Sequence, residues 1–151
     1  MKKLLLIITI AIFGIVSWGE SKTETKKDEK KLIVGTNGVF PPFEYMENGE
    51  LVGFDIDLIK QIGKNLGYEI EMKSQPFDAL ISSLKAGKLD AIISGITVTE
   101  ARKRLVDFTD EYFNSTQVYL RKKGNIAVNS KESLSGKKVG VQLGTIQEFE
   151  A

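Results

Sequence analysis

The sequence contains no cysteine and no histidine. Their absence rules out disulfides and Ser-His or Cys-His catalysis, and it removes the preferred ligands of a structural zinc ion. The net charge is close to zero, because the sequence has 21 basic and 20 acidic residues. The excess of basic residues that is typical of nucleic-acid-binding proteins is therefore missing. The remaining composition, 42% hydrophobic and 27% charged, is typical of one globular domain or slightly more. We therefore expect no metal, no cofactor and no nucleic-acid partner.

The first nineteen residues have the anatomy of a secretory signal peptide. Lys2 and Lys3 precede an apolar run from Leu4 to Val16. That run is too short to span a bilayer as a helix, which takes about 20 residues. Ser17 and Gly19 then provide small residues for cleavage after Gly19. The pattern predicts a signal peptide over residues 1–19 and a secreted protein, in the periplasm or on the outer face of the cytoplasmic membrane. A buried N-terminal helix is the alternative.

The segment that follows is strongly charged. Residues 20–31, "ESKTETKKDEKK", contain no apolar side chain and cannot build a core, so they are predicted to be a disordered tether or simply a frayed terminus. Just before it, "GIVSW" resembles a bacterial lipobox in which Trp18 occupies the position of the lipidated cysteine. Tryptophan cannot carry a thioether-linked lipid.

Apolar strand patterns alternate with helical patterns from Leu32 onward, which predicts right-handed βαβ units and a parallel sheet. Asn48-Gly49 between two short strands predicts a hairpin turn. The predicted strands cover residues 31–36, 68–73 and 89–94, and the predicted helices cover 55–67, 77–87 and 99–108.

The first predicted helix carries the clearest boundary signals. Asp55 is a plausible N-cap, and Gly67 stands at the expected left-handed position after the helix. One apolar face is predicted from side chains that recur at helical spacing, namely Ile56, Ile59, Ile62 and Leu66.

A second α/β unit is predicted to begin late in the chain. Residues 117–123 have the pattern of a strand leaving the first body, residues 138–143 that of another strand, and a helix is expected from about Thr145. One strand and a turn of helix cannot bury a core. With the sequence ending at Ala151, we expect a two-domain protein whose second domain is incomplete here.

Ligands of open parallel sheets bind beyond the carboxyl ends of the strands. Loops 94–99 and 142–146 both bring backbone N–H groups to helix starts, where anions bind. Arg102 adds a planar guanidinium suited to a carboxylate, although it could instead be a solvated helix residue beside Lys103. Phe40 and Phe77 could each line a cleft or pack in the core.

The order and spacing of these motifs resemble the family 3 extracellular solute-binding proteins, the polar amino-acid receptors of bacterial ABC importers. Three stretches carry the resemblance: "LIVGTNGVFPPFEYMENGELVGFDIDLIKQIGKNLGYEIE", "PFDALISSLKAGKLDAIISGITVTEARKRLVDFTDEYF" and "GKKVGVQLGT". The resemblance implies an α/β, periplasmic-binding-protein type II fold. It has two lobes joined by hinge strands, most of lobe one in residues 32–117, and the hinge and the start of lobe two in residues 118–151.

The resemblance also implies a site for an amino acid. Phe40 and Phe77 match aromatic positions that flank the ligand. Ser94 and Gly95 match the loop whose carbonyls receive the α-ammonium group, and the hydroxyl of Thr97 matches a further acceptor for it.

Other matching positions concern the ligand's carboxylate and side chain. The backbone N–H of Thr97, the guanidinium of Arg102 and Thr145 of the second lobe match the groups that hold the α-carboxylate. Gln142 matches a variable position that faces the ligand. Asn37 lies where relatives often carry Asp near the ligand side chain, so a negative charge is missing, which weakens the case for a cationic ligand side chain.

The function implied is capture of a polar amino acid outside the cell and its delivery to the permease of an ABC importer by a monomeric protein that is not an enzyme. One alternative is the ligand-sensing extracellular domain of a receptor. Another is a dehydratase or cell-wall hydrolase of the same fold. Because the second lobe is incomplete, the chain is expected to bind an amino acid poorly by itself.

Overall fold

The computed structural model describes residues 30–151. The predicted signal peptide, Trp18 and all but two residues of the predicted tether lie outside the described residues. The strands are β1 (Lys30–Thr36), β2 (Val39–Phe40), β3 (Glu44–Glu47), β4 (Glu50–Val52), β5 (Tyr68–Ser74) and β6 (Ala91–Ile92). The α-helices are α1 (Phe54–Leu66), α2 (Leu80–Lys85), α3 (Glu100–Lys103) and α4 (Ile146–Glu150), and two 3₁₀ turns cover Phe77–Ala79 and Glu132–Leu134.

The main sheet is parallel, as predicted, with the strand order β5-β1-β6. Strand β1 pairs with β5 along its whole length, from Lys30 opposite Tyr68 to Thr36 opposite Ser74. Lys30 and Lys31 therefore belong to the sheet, and their inclusion in the tether was wrong. Sheet pairing orders them where composition alone suggested disorder.

Strand β6 is shorter than the predicted strand at residues 89–94, because only Ala91 and Ile92 pair regularly with β1. The backbone nevertheless follows β1 over a slightly longer stretch. Asp90 N donates to Ile33 O at 2.8 Å and Ile93 N donates to Gly35 O at 3.0 Å. Strand β6 therefore ends just before the loop that starts at Ser94.

A second, antiparallel sheet in the order β2-β3-β4 follows β1. Its turn at Asn48 and Gly49 has φ values of 51° and 87°. Positive φ at both central residues is the requirement of a tight hairpin turn whose twist matches its strands. The predicted hairpin is confirmed.

Helix α1 ends as predicted but begins differently. Gly67 adopts the left-handed conformation with φ 74° and closes the helix. The N-cap position is Gly53, while Asp55 lies inside the first turn and is fully buried, so the N-cap assignment of Asp55 was wrong.

The predicted apolar face of α1 was partly wrong. Ile56 is buried and Ile59 half-buried, but Ile62 and Leu66 are exposed. Instead, the buried Gly63 lets β5 approach closely, because a Cβ there would lie 2.4 Å from Ile70 Cγ1. The face toward the sheet therefore runs through residues 56, 59 and 63, at ordinary helical spacing. The apolar core lies between the sheet and its helices and contains Val34, Ile56, Leu80, Leu89 and Ile93.

The predicted strands at 117–123 and 138–143 are not formed, since within residues 30–151 neither segment pairs with another strand. The helix predicted near Thr145 is present as α4, with Thr145 at its N-cap position. The helix predicted at 99–108 is reduced to α3, and Thr99 caps it by accepting a hydrogen bond from Arg102 N. No helix among the described residues is both long and apolar enough to cross a membrane.

Candidate ligand-binding cleft

An open cleft of about 1080 Å³ lies at the carboxyl end of the parallel sheet. The loops after β1 and β6 form one wall, and residues from 117 to the end of the chain form the other. All nine residues predicted from the sequence line this single cleft: Asn37, Phe40, Phe77, Ser94, Gly95, Thr97, Arg102, Gln142 and Thr145. The structure thus brings the predicted set together, and it adds Glu44, which sequence reasoning missed.

Arg102 projects from α3 into the cleft and is only 8% exposed. Its Nη1 donates to Thr97 O at 2.7 Å and its Nη2 donates to Gly144 O at 2.8 Å. Burial lowers the pKa of the guanidinium. Among the four ion pairs between described residues, none involves Arg102. A buried guanidinium held only by carbonyl groups retains its charge for an incoming anion. The solvated-helix alternative for Arg102 does not fit this burial.

Two aromatic rings border the same space. The Arg102 guanidinium carbon lies 5.7 Å from the centroid of the Phe77 ring, within the range of a cation–π contact. Phe40 is 53% exposed and stacks on Phe43 with centroids 5.4 Å apart. A ring supported on one side and exposed on the other offers an apolar surface to a ligand, so Phe40 is not a core residue.

Glu44, at the start of β3, is 1% exposed and organises the loop after β1. Its Oε2 accepts hydrogen bonds from the N–H groups of Asn37 and Gly38, at 3.0 and 3.1 Å. Its Oε1 accepts the hydroxyl of Ser94 at 2.6 Å. Burial raises the pKa of Glu44, while these three donors oppose that rise. Ser94 is thereby tied to a strand fifty residues earlier in the chain.

Asp55 fixes the neighbouring residue of the same loop. Its Oδ2 accepts hydrogen bonds from Gly95 N and from the Tyr112 hydroxyl, both at 3.1 Å, while its buried Oδ1 has no partner. Burial raises the pKa of Asp55, and it also raises the pKa of Tyr112. The sequence offered no signal for this role, because an aspartate at the start of a helix is more commonly a cap.

The two walls of the cleft meet at Asn37. Its Nδ2 donates to the backbone carbonyl of Gln75 at 3.1 Å, so its Oδ1 faces the cleft. That oxygen accepts from Gln142 Nε2 at 2.8 Å, across a separation of 105 residues. Because a backbone carbonyl can only accept, the Gln75 contact fixes the orientation of the Asn37 amide. Asn37 therefore presents a hydrogen-bond acceptor without a net charge.

The turn at residues 142–145 packs tightly on the first wall. Gly144 has φ 76°, and a Cβ at this position would lie 2.7 Å from Asp78 Cα. Thr145 Oγ1 donates to Gln142 O at 2.6 Å and closes the turn. Within residues 30–151 no group of three or more acidic, cysteine or histidine side chains is arranged to hold a metal ion.

A parallel α/β sheet with a cleft at its carboxyl ends, and with a buried cation and buried carboxylates around one loop, is the arrangement in which open α/β proteins hold small charged ligands. Residues 32–147 match the bacterial extracellular solute-binding proteins, family 3, and the chain belongs to that family. The predicted family is confirmed.

The arginine-binding extracellular protein ArtP of Bacillus subtilis is 43% identical over 150 residues, which cover 98% of this chain and 58% of ArtP. An ancestral arginine-binding protein, solved bound to arginine and also bound to glutamine, is 53% identical with a TM-score of 0.76, over 79% of this chain and 53% of that one. The chain has part of the periplasmic-binding-protein type II fold and spans little more than half the length of these relatives.

A third similar structure is the arginine-bound form of domain 1 from TmArgBP. It is 52% identical with a TM-score of 0.54, over 55% of this chain and 67% of that one. One domain of a relative has therefore been found with arginine bound.

Proposed function

We propose that this chain binds a free polar amino acid in the cleft and delivers it to the permease of an ABC importer. The observation that carries the proposal is Arg102, a buried guanidinium that has carbonyl partners but no carboxylate among residues 30–151. The α-carboxylate of an amino acid supplies the missing anion in a bidentate geometry that guanidinium groups favour.

The remaining predicted residues receive complementary roles in this proposal. Thr97 N–H and Thr145 assist Arg102 with the carboxylate. The carbonyls of Ser94 and Gly95 and the Thr97 hydroxyl accept the ammonium group. Phe40 and Phe77 enclose the aliphatic part of the ligand, while Asn37 and Gln142 meet the end of its side chain.

Arginine is the first candidate ligand. The similarity to arginine-binding proteins supports it, and so does the second lone pair of Asn37 Oδ1, beside the one that Gln142 uses, because a guanidinium carries five donors. The missing negative charge at Asn37 leaves an uncharged donor, such as the amide of glutamine, as the main competitor.

Delivery to a permease is proposed from family membership, since the members of this family in ABC importers act outside the cytoplasmic membrane. The predicted signal peptide supports the same location. We propose that residues 32–117 form most of one lobe and residues 118–151 the hinge and the start of the other, that the protein acts as a monomer, and that it catalyses no reaction.

Calorimetric titration of the purified chain with each of the twenty standard amino acids tests the proposal. We expect saturable binding of arginine or another polar amino acid. Apolar amino acids without a side-chain donor should bind at least about tenfold more weakly, a difference of about 1.4 kcal/mol. Absence of binding by every amino acid would contradict the proposed function.

A further inference from the structure

The loop of Ser94 and Gly95 is held from beneath by two buried carboxylates. Glu44 receives the Ser94 hydroxyl at 2.6 Å, and Asp55 receives Gly95 N–H at 3.1 Å. The two side chains are 1% and 0% exposed, respectively. Successive residues of one loop are thus anchored to two different elements, β3 and α1.

No cation neutralises these carboxylates among residues 30–151, because all four ion pairs there join other side chains. The donors that reach Glu44 and Asp55 are neutral N–H and O–H groups. Burying unpaired carboxylates is costly unless a cation compensates them. Two such carboxylates lie beside this cleft. Their negative charge suits a site in which the bound ligand supplies the cation.

Opposite charge lies at the other end of the same loop. Arg102, also without an ionic partner, is bonded to the carbonyl of Thr97, two residues beyond Gly95. The loop 94–97 therefore separates a buried positive group from two buried negative groups. A zwitterion with its carboxylate at Arg102 and its ammonium at the Ser94 end matches this arrangement of charge.

We propose that Glu44 and Asp55 are positioning residues for the ligand's α-ammonium group. They hold the Ser94 and Gly95 carbonyls toward the cleft, and their negative charge makes the site favour amino acids over carboxylates that lack the ammonium. The inference rests on the proposed function and adds two residues to it. A purely structural role for the pair makes a different prediction, because damage to the loop would weaken both kinds of ligand alike.

The test compares L-arginine with 5-guanidinopentanoate, which is the same molecule without the α-ammonium group, by calorimetry on the full chain. For Glu44→Gln, which removes the charge and keeps the size, we expect L-arginine affinity to fall on the order of tenfold and 5-guanidinopentanoate affinity to fall less than about twofold. Asp55→Asn should likewise lower the affinity for L-arginine more than the affinity for 5-guanidinopentanoate. Equal loss for both ligands, or no loss for either, would overturn the proposal.

Matched controls lie on the same two elements. Glu47→Gln removes an exposed charge from β3, and Asp57→Asn removes one from the first turn of α1. Neither should change the ratio of the two affinities. A native chain that binds neither ligand would contradict the proposed function itself. That result is distinct from a native chain that binds both while Glu44→Gln weakens both equally.

A measurement on the native chain covers the case in which an amide variant does not fold. As pH is lowered from neutral, Glu44 and Asp55 take up protons before an exposed carboxyl group does, because burial raises the pKa of both. The charged or titratable groups that face them are each other and Tyr112, which stays protonated. L-Arginine affinity should fall with pH more steeply than 5-guanidinopentanoate affinity, and parallel curves would contradict the proposal.

Discussion

At the scale of single residues, three buried charges that belong to no ion pair among the described residues lie in or behind the wall of the cleft. Arg102 is bonded to carbonyls, while Glu44 and Asp55 are bonded to N–H and O–H groups. Each of these charges is held by neutral dipoles, which orient it without cancelling it, and Asp55 Oδ1 has no partner among them. The charges therefore remain available to act on a bound molecule.

The same burial predicts how stability depends on pH. A carboxyl group whose pKa is higher in the folded state than in the unfolded state contributes stability below its unfolded pKa and loses that contribution as pH rises through the folded value. Burial raises the pKa of Glu44 and of Asp55, so both fall under this rule. The free energy of unfolding should therefore decrease as pH rises from about 4.5 through the raised values.

Urea denaturation at a series of pH values checks this expectation. The double variant Glu44→Gln, Asp55→Asn should show a flatter profile than the native chain, because it has lost both titrations. Identical slopes would mean that the two carboxyl groups titrate alike in the folded and unfolded states.

At the scale of elements, the turn formed by residues 142–145 joins the two walls of the cleft. It contributes Gly144 O to Arg102 and the Gln142 amide to Asn37. Gly144 also lies against the backbone of Asp78 in a left-handed conformation. The turn can pack against Asp78 only because residue 144 has no side chain.

Gly144→Ala should therefore weaken L-arginine binding on the order of tenfold. The new Cβ would lie 2.7 Å from Asp78 Cα, and a non-glycine residue at this φ costs about 1–2 kcal/mol. Gly87→Ala is the control, since Gly87 also has a positive φ, lies outside the cleft, and a Cβ there meets nothing within 4 Å. Titration calorimetry on both variants decides the matter, and equal affinities would show that the turn does not close on the ligand.

Elements encoded by adjacent residues were predictable from the sequence. The hairpin at Asn48-Gly49 and the helix end at Gly67 follow from positive-φ residues at fixed offsets, and both are confirmed. The prediction of strands at 117–123 and 138–143 was wrong, because a strand needs a neighbouring strand that forms hydrogen bonds with its N–H and C=O groups. An apolar pattern supplies no such neighbour.

For the site as well, residues in local patterns were predictable from the sequence, and contacts between distant residues were not. Arg102 was selected by its position after a predicted strand and by the family resemblance, and the structure places it in the cleft. Glu44 and Asp55 were missed because their partners are Ser94 and Gly95, separated from them by 50 and 40 residues. Local spacing carries no information about contacts of that range.

At the scale of the whole molecule, the described residues form two walls of one open cleft. The sheet and its helices supply Arg102, the two buried carboxylates and both aromatic rings, whereas the final segment adds Gln142, Gly144 and Thr145. Most of the charged and apolar groups thus belong to the wall that the sheet and its helices form. We therefore expect this chain to bind its ligand without the remaining length of its relatives, whereas the sequence alone predicted poor binding.

The central claim is that Arg102 binds the carboxylate of an amino acid, and titration of Arg102→Ala with L-arginine and with agmatine, which lacks the carboxylate, tests it most directly. We predict that L-arginine binding weakens by about 2–5 kcal/mol, because a charge-assisted pair with a buried guanidinium is lost, while agmatine binding changes far less. Arg104→Ala, at the exposed residue that follows α3, should leave both affinities unchanged. Unchanged L-arginine affinity in Arg102→Ala, or equal losses for the two ligands, would contradict the account.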